Sequence, residues 1–344
     1  MHNRVKWVDY AKAGGIFLVV AGHAGFPETI RSYIYAFHIP LFFFLSGLFF
    51  DFEKYPDYKT FFKKRFQQLV VPYLFINVVT YLVWVLATRH LGRAEEMNFN
   101  PVEPLAGILY GNADGHLLAH NVPLWFLACL FSVENLYYLA ARKVKSPYRI
   151  FLLVLLLFIG WADYMFNHSI RLPWGINVAF VTVFFYGLGS ISGKKIMASD
   201  PSVFKLIVQI FISFAIVVFI GNLNGKAEVS CHFYGNNFGY FIIGSLAGIS
   251  GMMSLSKLIG KFRIQKSLLL YIGANTLTIY GFHLLAGTII KGVMVYIFHL
   301  TLNVLDNLWI KTLYCIICIF ILLPFTIVLN RYFPYLVGKS GNPK

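Results

Sequence analysis

Residues 8–26 read VDYAKAGGIFLVVAGHAGF, an apolar stretch interrupted by Asp9, Lys12 and His23. A helix needs roughly 17–25 residues to cross the hydrocarbon core of a bilayer, so this stretch is long enough to span it. Basic residues precede it, as they precede a signal peptide. However, its ionisable side chains and the lack of an A-x-A-like cleavage pattern argue against one. We therefore predict a retained first transmembrane helix.

Apolar runs of similar length follow along the whole chain. The 344 residues are 58% hydrophobic and 12% charged, whereas soluble domains are roughly 45–50% apolar and about 25% charged. This composition predicts an all-α fold, a polytopic integral membrane bundle of about ten transmembrane helices that forms a single domain over residues 1–344. The predicted spans are residues 8–26, 34–50, 68–88, 121–141, 149–167, 174–193, 204–221, 236–255, 268–290 and 309–330.

The distribution of positive charge predicts the orientation, because short cytoplasmic loops carry an excess of Lys and Arg. The formal net charge is +15, and the chain has 29 Lys and Arg residues. With ten spans and a cytoplasmic N-terminus, 21 of them fall inside and seven outside, and Lys12 lies within a span. We therefore predict that both termini are cytoplasmic and that the longest connection, residues 89–121, is an outer loop.

Ionisable groups within the predicted spans are the candidate site residues. Each costs roughly 2.5–3.5 kcal/mol on insertion scales, so such groups face the bundle interior or a wet cavity. Structural alternatives remain open: an interfacial ion pair of Asp9 with Lys12, hydrogen-bonded packing histidines, or a cytoplasmic cation that pairs with Glu134. The candidates are Asp9, Lys12, His23, His38, Glu134 and His283.

Lys12 and His23 are predicted to share one face of the first helix. They are eleven residues apart, which places them within about 20° of each other around the axis and roughly 16 Å apart along it. The helix would then present a cation near its cytoplasmic end and an imidazole towards the outside.

Two further groups of residues admit two interpretations each. Trp125, at the outer edge of a predicted span, fits an aromatic belt or a cavity in which it stacks on a sugar. The basic cluster that contains Lys64 and Arg65 fits contact with anionic lipid headgroups or with a phosphorylated ligand. Nothing in the sequence predicts a metal site or binding of nucleic acid.

Several motifs together resemble the acyltransferase-3 family of membrane acyltransferases, in particular its fucose 4-O-acetylase-like branch. They follow the order of the family over nearly the whole chain. They are Trp7–Lys12 (WVDYAK), Val19–His23 (VVAGH), Phe37–Gly47 (FHIPLFFFLSG), Lys64–Phe66 (KRF), Val71–Tyr73 (VPY), Leu124–Leu127 (LWFL) and Leu277–His283 (LTIYGFH).

This resemblance implies a ten-helix enzyme, multi-pass in the inner membrane of a bacterium. It would transfer an acyl group, usually acetyl from cytoplasmic acetyl-CoA, to a hydroxyl of a cell-surface polysaccharide or a lipid-linked sugar precursor. Acetyl-CoA would be a substrate, with no tightly bound cofactor, and succinyl is an alternative acyl group. His23 matches the essential histidine of the family. Lys12 stands where the family often has arginine, which changes the geometry of the contact but keeps the charge.

These residues can be given chemical roles. Acyl transfer to a hydroxyl needs a base for the hydroxyl proton and a stabiliser for the oxyanion. We expect His23 to be the base, with a transient acyl-histidine as a variant, and we group His38 and Asp9 with it as catalytic. The expected substrate contacts, including phosphates of CoA at the inner mouth, come from Lys12, Lys64, Arg65, Trp125, Glu134 and His283.

Two other classes of function remain. A proton-coupled transporter or flippase of a glycan or small amphiphile would use the intramembrane histidines as a relay or a binding site. A membrane scaffold would explain the helices but not the buried ionisable groups.

Overall fold

The computed structural model describes residues 5–90, 100–167, 169–262 and 266–339. Within these ranges the chain is helical and has no strand. The α-helices are α1 Lys6–Gly22, α2 Glu28–Tyr35, α3 His38–Gly47, α4 Tyr58–Arg65, α5 Val71–Leu86, α6 Val102–Tyr110, α7 Trp125–Ala141, α8 Arg149–Phe166, α9 Ile176–Ala198, α10 Val203–Asn224, α11 Phe238–Lys261, α12 Ser267–Ala274, α13 Thr276–Gly292 and α14 Leu308–Tyr332.

Eight helical segments in the described part of the chain are long and apolar enough to cross a membrane, with mean hydropathy between 1.4 and 2.7. Several turn much of their apolar surface outward, as α8 does with Phe151 and Phe158 and α10 does with Phe211 and Phe219. Such surfaces suit contact with lipid chains rather than water. The predicted all-α polytopic membrane bundle is confirmed. The segments are residues 58–90, 122–141, 146–166, 173–198, 203–224, 238–261, 276–297 and 308–332.

The first two predicted spans, residues 8–26 and 34–50, are not among these eight segments. The helix α1 has 17 residues. The predicted span 34–50 is divided, because α2 ends at Tyr35 and α3, with 10 residues, begins at His38. Between them Phe37 leaves the helical conformation, with φ −145° and ψ −15°. The total of ten crossings and the cytoplasmic termini therefore stay predictions, and residues 1–4 and 340–344 lie outside the described residues.

The helix α1 occupies the centre of the bundle. It packs against α11, α12, α13 and α14, and also against the short helices α2 and α3. Its contact with α12 is close because Gly273 has no side chain: a Cβ there would overlap the backbone of Asp9. A helix surrounded in this way turns its polar side chains towards other helices, as its sequence predicts.

The predicted outer loop 89–121 is largely folded onto the bundle, although residues 91–99 lie outside the described part. The helix α6 is joined to α5 by a hydrogen bond of 2.8 Å from the Tyr73 hydroxyl to the carbonyl oxygen of Ile108. The Tyr81 hydroxyl donates to the carbonyl oxygen of Pro101 at 3.0 Å. Together with the contact of His120 Nε2 with Asn77 Oδ1 at 3.0 Å, these hydrogen bonds hold the connection beside α5.

Candidate active site

His23 is the residue at which α1 ends, and it lines a cavity of about 640 Å³. The side chain is exposed to this cavity although α1 is enclosed by other helices. The walls come from α1, from α5 and the residues just after it, from α13, from α14, from the segment between α13 and α14, and from the end of the connection before α7. A volume of this size is within the usual range for small-molecule sites. We call it the histidine cavity, and we use inner and outer for the two sides that the charge bias predicts.

His283 on α13 lies beside His23, with 5.3 Å between the ring centroids. Its Nδ1 is 2.7 Å from the carbonyl oxygen of Tyr280. A carbonyl only accepts, so Nδ1 carries the proton and Nε2 keeps a free lone pair. Nε2 is buried and has no hydrogen-bond partner among the described residues. The predicted site residues His23 and His283 are therefore brought together, and His283 offers a hydrogen-bond acceptor.

A third histidine, His120, also lines the cavity and was missed by the sequence analysis. Its Nε2 is 3.0 Å from Oδ1 of Asn77, whose amide nitrogen donates to the carbonyl oxygen of Tyr73 at 2.8 Å. Nε2 is therefore the donor, and Nδ1 keeps its lone pair. Nδ1 is buried without a partner in the described part of the chain. Burial lowers the pKa of His120 to about 4, so the ring is neutral at pH 7.

Asn121, the next residue, adds another acceptor to the cavity wall. Its amide nitrogen donates to the carbonyl oxygen of Gly281 at 2.8 Å. Its Oδ1 is buried and finds no hydrogen-bond donor within the described ranges. No sequence signal singled out His120 or Asn121, because polar residues are ordinary in a connection between spans.

Three residues that line the histidine cavity, His120, Asn121 and His283, each have a buried acceptor without a hydrogen-bond partner in the described part of the chain. Buried acceptors without partners are costly in a finished structure, so such atoms indicate a place for donors from a ligand or water. Trp84 and Tyr296 contribute aromatic surface, and Lys291 contributes a cation. A neutral imidazole beside a bound hydroxyl is suited to accept its proton. The cavity can therefore bind and deprotonate a molecule with several hydroxyl groups.

His38 does not line this cavity, although it lies within electrostatic reach of His23. Its Nδ1 donates to the carbonyl oxygen of Ile34 at 2.8 Å, and its ring is 4.9 Å from the ring of Tyr35. Trp125 is also apart from the cavity. It is buried with its ring 6.3 Å from that of Phe126. The structure therefore does not bring His38 or Trp125 to the cavity wall.

Lys12 and Asp9 lie towards the other end of α1. The ammonium of Lys12 is half-buried and lies 5.8 Å from the centroid of the Phe49 ring. Asp9 is buried. Neither lines the histidine cavity, so the predicted separation of cation and imidazole along one helix is present.

Glu134 and Arg65 form an ion pair with 3.0 Å between Oε2 and Nε. Arg65 also donates from Nη1 to Oε1 of Gln68 at 3.0 Å. Lys64 is exposed, with its ammonium 5.4 Å from the centroid of the Tyr55 ring. The sequence predicts that Glu134 either contacts substrate or pairs with a cytoplasmic cation. The observed geometry is that of an ion pair with a cation from the inner side. The histidine cavity is not lined by any of these three residues, Glu134, Arg65 and Lys64.

Comparison with known proteins gives one match. Residues 5–334 match the model of the family Acyl_transf_3, described as an acyltransferase domain. No curated protein and no solved structure matches the chain. The match covers the histidine cavity, Lys12 and the Arg65–Glu134 pair alike.

Proposed function

The chain belongs to the acyltransferase-3 family, and we propose that it is a membrane O-acyltransferase that moves an acyl group from cytoplasmic acyl-CoA to a hydroxyl of a cell-surface glycan or glycan precursor. His23 is the general base. The observation that carries the proposal is the His23–His283 pair, with ring centroids 5.3 Å apart, in a cavity whose lining residues include three with a buried acceptor that has no partner among the described residues.

The reaction balances with one base. His23 accepts the proton of the acceptor hydroxyl while the hydroxyl oxygen attacks the thioester carbonyl, forming the new C–O bond. The C–S bond then breaks, and the thiolate of CoA accepts this proton from His23. Well-placed general bases contribute about 10²–10⁴-fold to rates. The His283 ring lies beside the His23 ring and its Nε2 has no partner among the described residues, so His283 would orient the acceptor hydroxyl or the His23 ring.

The nature of the cavity supports a glycan as acceptor. A sugar presents several hydroxyl donors, and three residues that line the cavity, His120, His283 and Asn121, each have an acceptor without a partner among the described residues. Trp84 and Tyr296 supply apolar rings for the faces of a sugar. The donor is acetyl-CoA as substrate. A finer likeness to fucose 4-O-acetylases, an inner-membrane location in a bacterium and acetyl rather than succinyl transfer are parts of the same proposal.

The test uses the purified chain in nanodiscs with acetyl-CoA and a panel of polysaccharide and lipid-linked sugar acceptors. Wild-type protein should release free CoA and give an O-acetylated product by mass spectrometry. His23→Ala should lower kcat about 10³-fold, within the range for lost base catalysis. The control is His90→Ala, since His90 is an exposed histidine that does not line the cavity.

Unchanged transfer by His23→Ala would overturn the assignment of the base. A different result would favour the transporter hypothesis: wild-type protein in liposomes that moves a glycan across the bilayer, driven by a proton gradient and without release of CoA.

A further inference from the structure

A second pocket, of about 330 Å³, lies on the inner side. Its walls come from the end of α3 and the connection after it, from Ser146 and Arg149 at the start of α8, and from α9. Three cations that are distant in sequence, Lys54, Arg149 and Lys194, line it. Asp51 is the one acidic residue among the lining residues. We call it the inner pocket.

None of these three cations is neutralised by a carboxylate within the described residues. Lys54 donates to the carbonyl oxygen of Phe49 at 3.1 Å. Arg149 donates from Nε to the carbonyl oxygen of Val144 at 3.0 Å, and its guanidinium lies 4.5 Å from the centroid of the Phe52 ring. Carbonyl oxygens and ring faces position a cation but leave its full charge.

Lys194 completes the set from α9. It is exposed and has no ion pair in the part of the chain that the structure describes. Arg65 differs from all three, because Glu134 lies 3.0 Å from its Nε. The inner side therefore has a paired cation at Arg65 and a group of cations without carboxylate partners around the inner pocket.

Membrane topology explains part of this arrangement. The bias of Lys and Arg towards the cytoplasm accounts for the presence of cations on the inner side. It does not account for the convergence of three of them on one pocket with a single acid. Like charges close together repel, so such a group indicates an anionic ligand.

The inner pocket adjoins the N-terminal end of α1, and the histidine cavity adjoins its C-terminal end. Val5, just before α1, and Phe49 both line it, and the Lys12 ammonium is 5.8 Å from the Phe49 ring centroid. A ligand in the inner pocket would therefore lie next to the cation that α1 presents at its inner end.

We infer that Lys54, Arg149 and Lys194 form a binding site for phosphate groups at the inner end of α1. Phosphate fits both the planar donors of arginine and the point charges of lysine. Resting on the proposed function, the phosphates are those of the nucleotide part of acyl-CoA. An anionic lipid headgroup presents the same chemistry and is the other source.

The experiment measures binding without turnover. Protein in phosphatidylcholine nanodiscs is titrated with CoA and with 3′-dephospho-CoA by calorimetry. Lys194→Gln should weaken CoA binding about tenfold, equivalent to 1.4 kcal/mol, and should reduce the preference for CoA over 3′-dephospho-CoA. The matched control is Lys195→Gln, since Lys195 is also exposed on the same helix but does not line the pocket. Lys194→Arg should retain the affinity.

A second arm distinguishes the source of the phosphate. The same variants are purified from nanodiscs of equal parts phosphatidylcholine and phosphatidylglycerol, and retained phosphatidylglycerol is measured by mass spectrometry. Loss of CoA affinity in Lys194→Gln supports the nucleotide source, and loss of retained phosphatidylglycerol alone supports the lipid source. If Lys194→Gln matches Lys195→Gln in both arms, the site is overturned.

This outcome is separable from failure of the proposed function. His23→Ala should bind CoA as wild type does, because His23 lines the other cavity. If the enzyme is active but its CoA affinity does not depend on Lys194, the phosphate site in the inner pocket alone is refuted. If the protein binds CoA but transfers no acyl group, the proposed reaction alone is refuted.

Discussion

The histidine cavity and the inner pocket lie at opposite ends of α1 and differ in the kind of polar atom they present. The residues that line the first include His120, His283 and Asn121, each with an uncharged acceptor that has no partner among the described residues, and one cation, Lys291. The second offers permanent positive charge from lysine and arginine. From Val5 to His23 the helix rises roughly 27 Å, at 1.5 Å per residue.

This difference shows how one helical bundle can perform proton abstraction and phosphate binding at separate sites. Proton abstraction needs a lone pair that is free at neutral pH, whereas binding of phosphate needs charge that no neighbouring carboxylate cancels. A single site with both would let the cations disfavour protonation of the base. Separation along α1 keeps the cations of the inner pocket away from the base and leaves Lys291 as the one cation among the residues that line the histidine cavity. An extended donor would connect the two ends.

The largest expected effect tests whether the histidine cavity acts as one unit. His23→Ala should lower kcat about 10³-fold and His283→Ala about 10²-fold, as for loss of a base and of its partner. The double variant should lose no more than His23→Ala alone, because groups that act together are not additive. Steady-state kinetics with saturating donor measures this. Additive losses would contradict the pairing, and a changed CoA affinity in any of these variants would break the division between the two ends.

The second effect concerns the paired cation on the inner side. Glu134→Gln should lower the free energy of unfolding by about 3 kcal/mol, since it leaves the charge of Arg65 without its partner. The double replacement Arg65→Met with Glu134→Leu should restore most of the loss. Denaturant unfolding in detergent measures both. The control is Glu53→Gln, because Glu53 is an exposed acid on the same side.

The same variants sharpen the contrast between paired and unpaired cations. With Arg65 held by Glu134, CoA affinity should be unchanged in the Arg65→Met, Glu134→Leu double variant. A large loss of CoA affinity there would place Arg65 at the donor site, as its position in the basic cluster first indicated.

A third and smaller effect tests recognition of the acceptor. His120→Ala should raise the KM for the glycan about tenfold, the equivalent of one lost hydrogen bond in a buried site, and leave the KM for acetyl-CoA unchanged. The pKa of His120 is about 4, below its ordinary value of about 6.5. Protonation at lower pH converts Nδ1 from acceptor to donor.

The pH dependence of the KM for the glycan follows from the lowered pKa of His120. In wild-type protein the contribution of His120 to the KM for the glycan should be constant above about pH 5 and be lost as the pH falls towards 4. The ratio of glycan KM values for His120→Ala and wild type, measured across this range, should therefore fall towards one at low pH. A ratio that changes between pH 6 and 7 instead would contradict a neutral, buried His120.

Much of the fold was predictable, because a helix that crosses a membrane needs a long apolar run and such runs are visible in the sequence. Part of the site was predictable for the same reason: His23 and His283 are conspicuous where ionisable residues are costly. His120 lies in a connection, where histidine costs nothing, so only the folding of that connection onto α5 reveals it. The partner of Glu134 and the convergence of Lys54, Arg149 and Lys194 depend on contacts between distant segments, which neither apolar content nor the charge bias specifies.

The smallest expected effect is on salt dependence, and it compares the two ends directly. Exposed charges are screened within a Debye length of about 8 Å at physiological ionic strength and about 30 Å at 0.01 M. Affinity for CoA at the inner pocket should therefore fall about threefold between these two conditions, since Lys194 is exposed and its attraction for phosphate is screened. Affinity for a neutral glycan at the histidine cavity should be constant, because a ligand without charge has no attraction between charges for salt to screen. Titration of wild-type protein and Lys194→Gln with both ligands at each salt concentration measures the difference. The salt dependence for CoA should be reduced in Lys194→Gln, and an equal dependence for both ligands would show that the two ends do not differ in charge as their side chains indicate.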